Sequence, residues 1–130
     1  MLVVDAGVVL SACQGPDGFA LFGGEPLLGP PILWSECRSV LHETLWRAEI
    51  SREQAEQTLQ QLETAPIVPR SPRQLGRRAW ALADAFGWAK TYDAEYVALA
   101  ELSGCRLLTL DGRMRRATDR LGFVITPDEL

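Results

Sequence analysis

Lysine, histidine and cysteine are scarce in this chain, and each shortage excludes something. Of its 13 basic residues only Lys90 is a lysine, so its positive charge is almost all guanidinium. His42 is the only histidine, and helical spacing turns it away from the acids considered below, so imidazole general-base catalysis has no good candidate. Cys13, Cys37 and Cys105 are odd in number and lack C-x-x-C spacing, which argues against a disulfide framework and a zinc knuckle and for free thiols in a reducing compartment. No apolar run approaches the roughly 18 residues of a membrane span. The opening MLVVDAGVVLSA carries Asp5 and no basic n-region, so it does not read as a signal peptide. Repeats, low-complexity tracts and linkers are also missing. The expectation is a soluble, cytoplasmic protein with no membrane partner.

What is present is ordinary in bulk. With 130 residues, 47% hydrophobic and 23% charged, the chain has enough apolar surface for one domain with a core, residues 1–130, and too much for disorder. The net charge of -4 argues at first against a nucleic-acid partner. Four clustered acids neutralised by metal would reverse that argument, and arginine suits bidentate phosphate contacts.

The organising stretch is Thr91 to Asp111, TYDAEYVALAELSGCRLLTLD. Thr91 is placed to cap a helix whose apolar positions include Tyr92, Tyr96, Leu99 and Ala100, and Gly104 is placed to end it. Arg106 to Leu110 reads as a buried strand broken by Asp111-Gly112. A helix of about ten residues after Asp93 rises roughly 15 Å. A strand of about six residues returns roughly 20 Å. If the strand runs back along the helix, Asp93 and Asp111 finish on one edge, where open α/β sheets bind ligands. Leu2-Val3-Val4 predicts a second strand with Asp5 at its C-terminal end. Acids converging on one strand edge raise each other's pKa, and a divalent cation would relieve them.

Elsewhere, Val8 to Cys13 can begin a helix, Gln14 to Gly18 is a turn, and Phe19 to Leu28 is ambiguous. Pro30-Pro31 opens a helix from Ile32 to Arg47, with Leu33, Cys37, Val40, Leu41 and Leu45 inward and Glu36 in its first turns. Ser51 and Gln54 form a capping box for a helix to about Glu63. Ile67-Val68 between prolines suits an edge strand. Ser71 is expected to cap a helix from Pro72 to Phe86, Arg113 to Leu121 to form a short basic helix, and Phe123 to Thr126 a last strand. Alternating strands and helices predict an α/β fold, three-layer α/β/α around a central, mostly parallel sheet.

Asp5, Glu36, Asp93 and Asp111 are therefore the candidate acids. Carboxylates holding Mg²⁺ or Mn²⁺ can activate water and stabilise a phosphoryl transition state. At these residues the chain resembles a family. DAGVVL from Asp5, Pro31 with Glu36 five residues on, YDAEYVALAE from Tyr92 and LLTLD ending at Asp111 resemble PIN-domain ribonucleases, and among them the VapC-type toxins of toxin–antitoxin pairs. The resemblance spans essentially the whole chain and is strongest from Tyr92 to Asp111. It implies metal-dependent endoribonuclease activity on RNA phosphodiester bonds through metal-activated water, homodimerisation, and inhibition by a cognate antitoxin. It implies that Asp5, Glu36, Asp93 and Asp111 are the acidic quartet and that Thr109 supports it by hydrogen bonding. The family usually carries Asn or Ser two residues after the first acid; here that residue is Gly7, which removes a supporting side chain but no ligand.

Arg113, Arg115 and Arg116 follow Asp111 and are candidates for holding RNA phosphates; Arg73, Arg77 and Arg78 form a weaker second patch. Tyr92, Trp34 and Trp88 are candidates for base stacking. Glu43 and Arg47 suit a surface pair, and Glu95 and Asp119 are expected to be solvated. Two other readings are consistent with the residues. One is a catalytically weak or inactive PIN-like module binding RNA or protein, which Gly7 keeps open. The other is a different metal-dependent phosphoesterase or a phosphoacceptor domain, which the lack of D-x-D after the first strand disfavours.

Overall fold

In the computed structural model, which describes residues 1–130, five short strands are interleaved with six α-helices. The strands are β1 (Leu2–Val4), β2 (Leu27–Gly29), β3 (Ile67–Pro69), β4 (Arg106–Leu108) and β5 (Val124–Ile125). The helices are α1 (Ala6–Gln14), α2 (Ile32–Trp46), α3 (Arg52–Glu63), α4 (Leu75–Phe86), α5 (Tyr92–Ser103) and α6 (Gly112–Ala117). Every strand pairing is parallel, in the order β3-β2-β1-β4-β5. This is the expected three-layer α/β/α architecture, with a sheet that is parallel throughout.

The order explains where a site can form. From β1 the chain winds outward through β2 to β3, then returns past β1 to β4 and β5. Right-handed crossovers put the helices of the two windings on opposite faces. The direction reverses between β1 and β4, and a crevice opens at the carboxyl ends of those two strands. Leu2, Val3 and Val4 are all buried, as a central parallel strand requires. Helix α5 lies on β1 and β4 and is buried from Tyr96 to Ala100 on every side. Its alanines 94, 98 and 100 permit that close approach.

Strand β2 was hidden in the ambiguous stretch. Three residues are too few to show a period, and their burial comes from β1 and β3 on either side. A Cβ at Gly29 would lie 2.4 Å from Leu33 Cδ2, so a side chain there would require the buried Leu33 to shift as α2 begins. Strand β3 is the edge its prolines suggest, with Ile67 buried and Val68 and Pro69 exposed.

Several local expectations are corrected. Thr91 precedes α5 but its hydroxyl caps nothing, because its backbone is already helical (φ -95°, ψ -2°) and a capping side chain needs an extended one. Ser71 does not cap α4. The chain first makes a turn in which Leu75 N–H bonds the Pro72 carbonyl, and the helix starts at Leu75. Strand β4 stops at Leu108, leaving Leu110 51% exposed, and Val40 of α2 is 44% exposed rather than inward. The Ser51–Gln54 capping box and the left-handed end of α5 at Gly104 are as expected, and α4 closes in the same way at Gly87.

Candidate functional site

The register of β1 on β4 builds the centre of the crevice. Val4 pairs with Leu108, so the next residues, Asp5 and Thr109, fall side by side where both strands end. Asp5 then turns the chain into α1 and caps it, with Oδ1 accepting from Val8 N–H at 3.0 Å. Its Oδ2 accepts from the Thr109 hydroxyl. Thr109, with no exposed surface, also accepts from Asp111 N–H at 3.0 Å. Asp111 repeats the device for α6: its Oδ1 accepts from Arg113 N–H at 2.9 Å and Met114 N–H at 3.2 Å. Both aspartates therefore spend one oxygen on a helix start and are fixed in direction.

The other two acids come from helices. Glu36 lies just past the first turn of α2 and accepts from the Tyr96 hydroxyl at 3.0 Å. Asp93 stands in the first turn of α5, at the open lip. The structure brings Asp5, Glu36, Asp93 and Asp111 together as walls of one shallow cleft, completed by Ala6, Gly7, Leu10, Val40 and Leu110. The four sequence-selected acids thus share a cleft although they span the chain. Val40 and Leu110, both expected inside, form its apolar rim instead.

Burial and mutual repulsion shape the acidities. Burial holds Asp5 above the usual aspartate range, partly offset by Thr109 and Val8 N–H, while Asp93 and Asp111 push it further up. Glu36 is raised by burial, then by Asp93, Asp5 and Glu95, against the lowering bond from Tyr96. Asp93 is exposed at the lip, yet partial desolvation where it lines the cleft, and then Asp111, raise it. Glu95 is half-buried rather than solvated; burial raises it, and its charge reaches Glu36.

No three His, Cys, Asp or Glu side chains form a ready metal cage. The donor set is nevertheless all oxygen, which suits a hard cation, and Mg²⁺ keeps several waters and needs only one or two carboxylates. By donor chemistry, Asp5, Glu36, Asp93 and Asp111 are the residues that could hold a hard divalent cation.

The basic candidates separate. Arg113 and Arg116 are exposed beside Asp111. Arg115 is not free: its guanidinium binds Glu129 at 2.7 and 2.8 Å and Asp119 at 2.7 Å, so Asp119 is paired rather than merely solvated. In the second patch Arg78 is tied to Glu101 of α5, while Arg73 and Arg77 are exposed. Among the aromatics, Trp88 stacks on Phe86 at 5.0 Å and Arg120 lies over the Phe86 ring, Trp34 is half-buried against the core, and Tyr92 is 49% exposed. Glu43 pairs with Arg47 at 3.7 Å, as its spacing suggests. Helical spacing marks Tyr96 only as an apolar position; its hydroxyl contact to Glu36, 60 residues away, leaves no periodic trace.

A family model described as PIN domain matches residues 2–120. No curated protein sequence is a significant match. Among solved structures, a chain of the toxin–antitoxin complex from Klebsiella pneumoniae is 22% identical, over 98% of each chain, with a TM-score of 0.66. PAE2754 from Pyrobaculum aerophilum is 21% identical, over 98% of this chain and 90% of that one, with a TM-score of 0.73. At these identities the structural likeness speaks to the fold. No helix is long and apolar enough to cross a membrane.

Proposed function

The chain belongs to the PIN-domain family, and from that premise we propose that it is a Mg²⁺- or Mn²⁺-dependent endoribonuclease and the toxin of a toxin–antitoxin pair. The observation that carries the reading is the single cleft walled by Asp5, Glu36, Asp93 and Asp111 at the point where the sheet reverses its winding. A divalent cation held there supplies an activated water and neutralises the charge that develops on the phosphoryl oxygens. The chain's own part is to fix the carboxylates. Asp5 and Asp111 are held by α1 and α6 and linked by Thr109; Glu36 is held by Tyr96. Arg113 and Arg116, free beside Asp111, bind flanking RNA phosphates by charge.

An antitoxin partner is supported by the likeness to a chain of the Klebsiella pneumoniae toxin–antitoxin complex. The reading takes residues 1–130 as one PIN-like domain that acts in the cytoplasm as a homodimer. Gly7 favours a second reading, a weakly catalytic RNA- or protein-binding module, because no side chain stands over Asp5 Oδ1 at that position.

The test is cleavage of total cellular RNA by the purified protein with Mg²⁺, with Mn²⁺ and with EDTA, beside Asp93→Asn. Discrete products that need both metal and Asp93 are expected. Intact RNA under every condition, with RNA still bound, would put the binding module first.

A further inference from the structure

The contact between Tyr96 and Glu36 does more than satisfy a buried phenol. Tyr96 has no exposed surface and lies three residues after Asp93, so one face of α5 carries both a cleft acid and this hydroxyl. A buried tyrosine needs one partner for its single proton, and a nearby backbone carbonyl would serve. Tyr96 instead donates to a carboxylate on another helix, 60 residues away in the chain. Glu36 accepts no other hydrogen bond, and no cation of the chain pairs with it. Asp5 and Asp111 have backbone donors to aim them; Glu36, on a longer and more flexible side chain, has only this phenol.

We propose, resting on the metal-dependent reading above, that Tyr96 is a positioning residue that locks Glu36 Oε1 and so leaves Oε2 directed for a divalent cation in the cleft. The same helix then sets two acids at once: Asp93 directly, and Glu36 through the phenol. Hydrogen bonds that orient ligating carboxylates in this way are typically worth roughly 10- to 100-fold in metal affinity.

The experiment is Mn²⁺ binding, followed by loss of the free-ion EPR signal, on the wild type, Tyr96→Phe, Glu36→Gln and the double variant, with melting curves of each metal-free protein. Tyr96→Phe should weaken Mn²⁺ binding about tenfold with a melting temperature close to wild type. In the Glu36→Gln background the same substitution should change nothing further. Wild-type affinity in Tyr96→Phe, or a loss that multiplies that of Glu36→Gln, overturns the proposal; a Tyr96→Phe protein that unfolds would do so by the second route. A wild type that binds no Mn²⁺ overturns the metal-dependent reading itself, and the positioning role with it.

Discussion

Thr109 donates its hydroxyl to Asp5 across the seam between β1 and β4, joining residues 104 apart in sequence. The same oxygen accepts Asp111 N–H, so one buried hydroxyl sets the relation between two cleft acids. Thr109→Val keeps the shape and removes both bonds. With each unsatisfied buried partner worth about 1–3 kcal/mol, the variant should lose about 2–4 kcal/mol in urea unfolding and at least tenfold in RNA cleavage. Thr109→Ser keeps the hydroxyl, and should lose only about 1 kcal/mol for the methyl and retain most activity. A Thr109→Val protein as active as wild type would break the link between this hydroxyl and the site.

Asp5, Glu36 and Asp93 all have folded-state pKa values raised above the ordinary 3.8 of aspartate and 4.5 of glutamate. A carboxyl with a raised folded pKa binds protons more tightly in the native state, so stability falls as pH climbs from the unfolded pKa through the folded one. At neutral pH the metal-free protein therefore carries the full penalty of these charges. Mn²⁺ should raise the melting temperature at pH 7.5, by an amount equivalent to about 2.7 kcal/mol at 100 times its dissociation constant, and EDTA should reverse it. The increment should shrink toward pH 4.5, where protons compete. Asp93→Asn should melt higher than wild type without metal and gain less from it. Differential scanning calorimetry at the two pH values decides the sign.

What could be read from the sequence was local or strongly patterned. Leu2 to Val4, the Ser51–Gln54 box, Gly104 and the four acids announce themselves by residue type and spacing. Three kinds of feature did not. Leu27 to Gly29 is a strand only because β1 and β3 flank it. Asp5 caps α1 immediately after its strand, so the helix begins two residues before the expected Val8. Arg115 reaches Glu129, 14 residues on, and Tyr96 reaches Glu36, 60 back; neither pairing follows any helical or strand period. Thr109 was singled out through a family resemblance, because a threonine in a strand is otherwise unremarkable.

Helices α2, α4 and α5 close with the same hydrogen-bond pattern. In α5, Gly104 N–H reaches Glu101 and Cys105 N–H reaches Ala100; in α2, Ala48 N–H reaches Leu45 and Glu49 N–H reaches Thr44. Gly87 and Gly104 occupy the left-handed position in α4 and α5, but Ala48 occupies it in α2, with φ 59°. A left-handed non-glycine residue costs roughly 1–2 kcal/mol. Ala48→Gly should therefore stabilise the protein by about 0.5–1 kcal/mol after the added chain entropy of glycine, raising the melting temperature by about 2–4 °C. Ala48→Val should lower it. Cleavage should be unaffected, since Ala48 does not line the acidic cleft.

Arg113, Arg115 and Arg116 occupy one short helix yet should behave as two classes. Arg115 is held between Asp119 and Glu129, and Glu129 is in turn drawn down to about 2 by Arg115 and by Thr126. Its guanidinium ties α6 to the C-terminal turn and is satisfied before any phosphate arrives. Arg113 and Arg116 have no such partner. Arg113→Ala and Arg116→Ala should each weaken RNA binding by Asp93→Asn protein and flatten the dependence of log affinity on log salt by about 0.7 for a single strand, with little change in melting temperature. Arg115→Ala should leave that slope almost unchanged and lower the melting temperature modestly, because an exposed pair is screened. Equal slopes for all three variants would mean that RNA pulls Arg115 out of its pairing, and that the C-terminal turn is released when substrate binds.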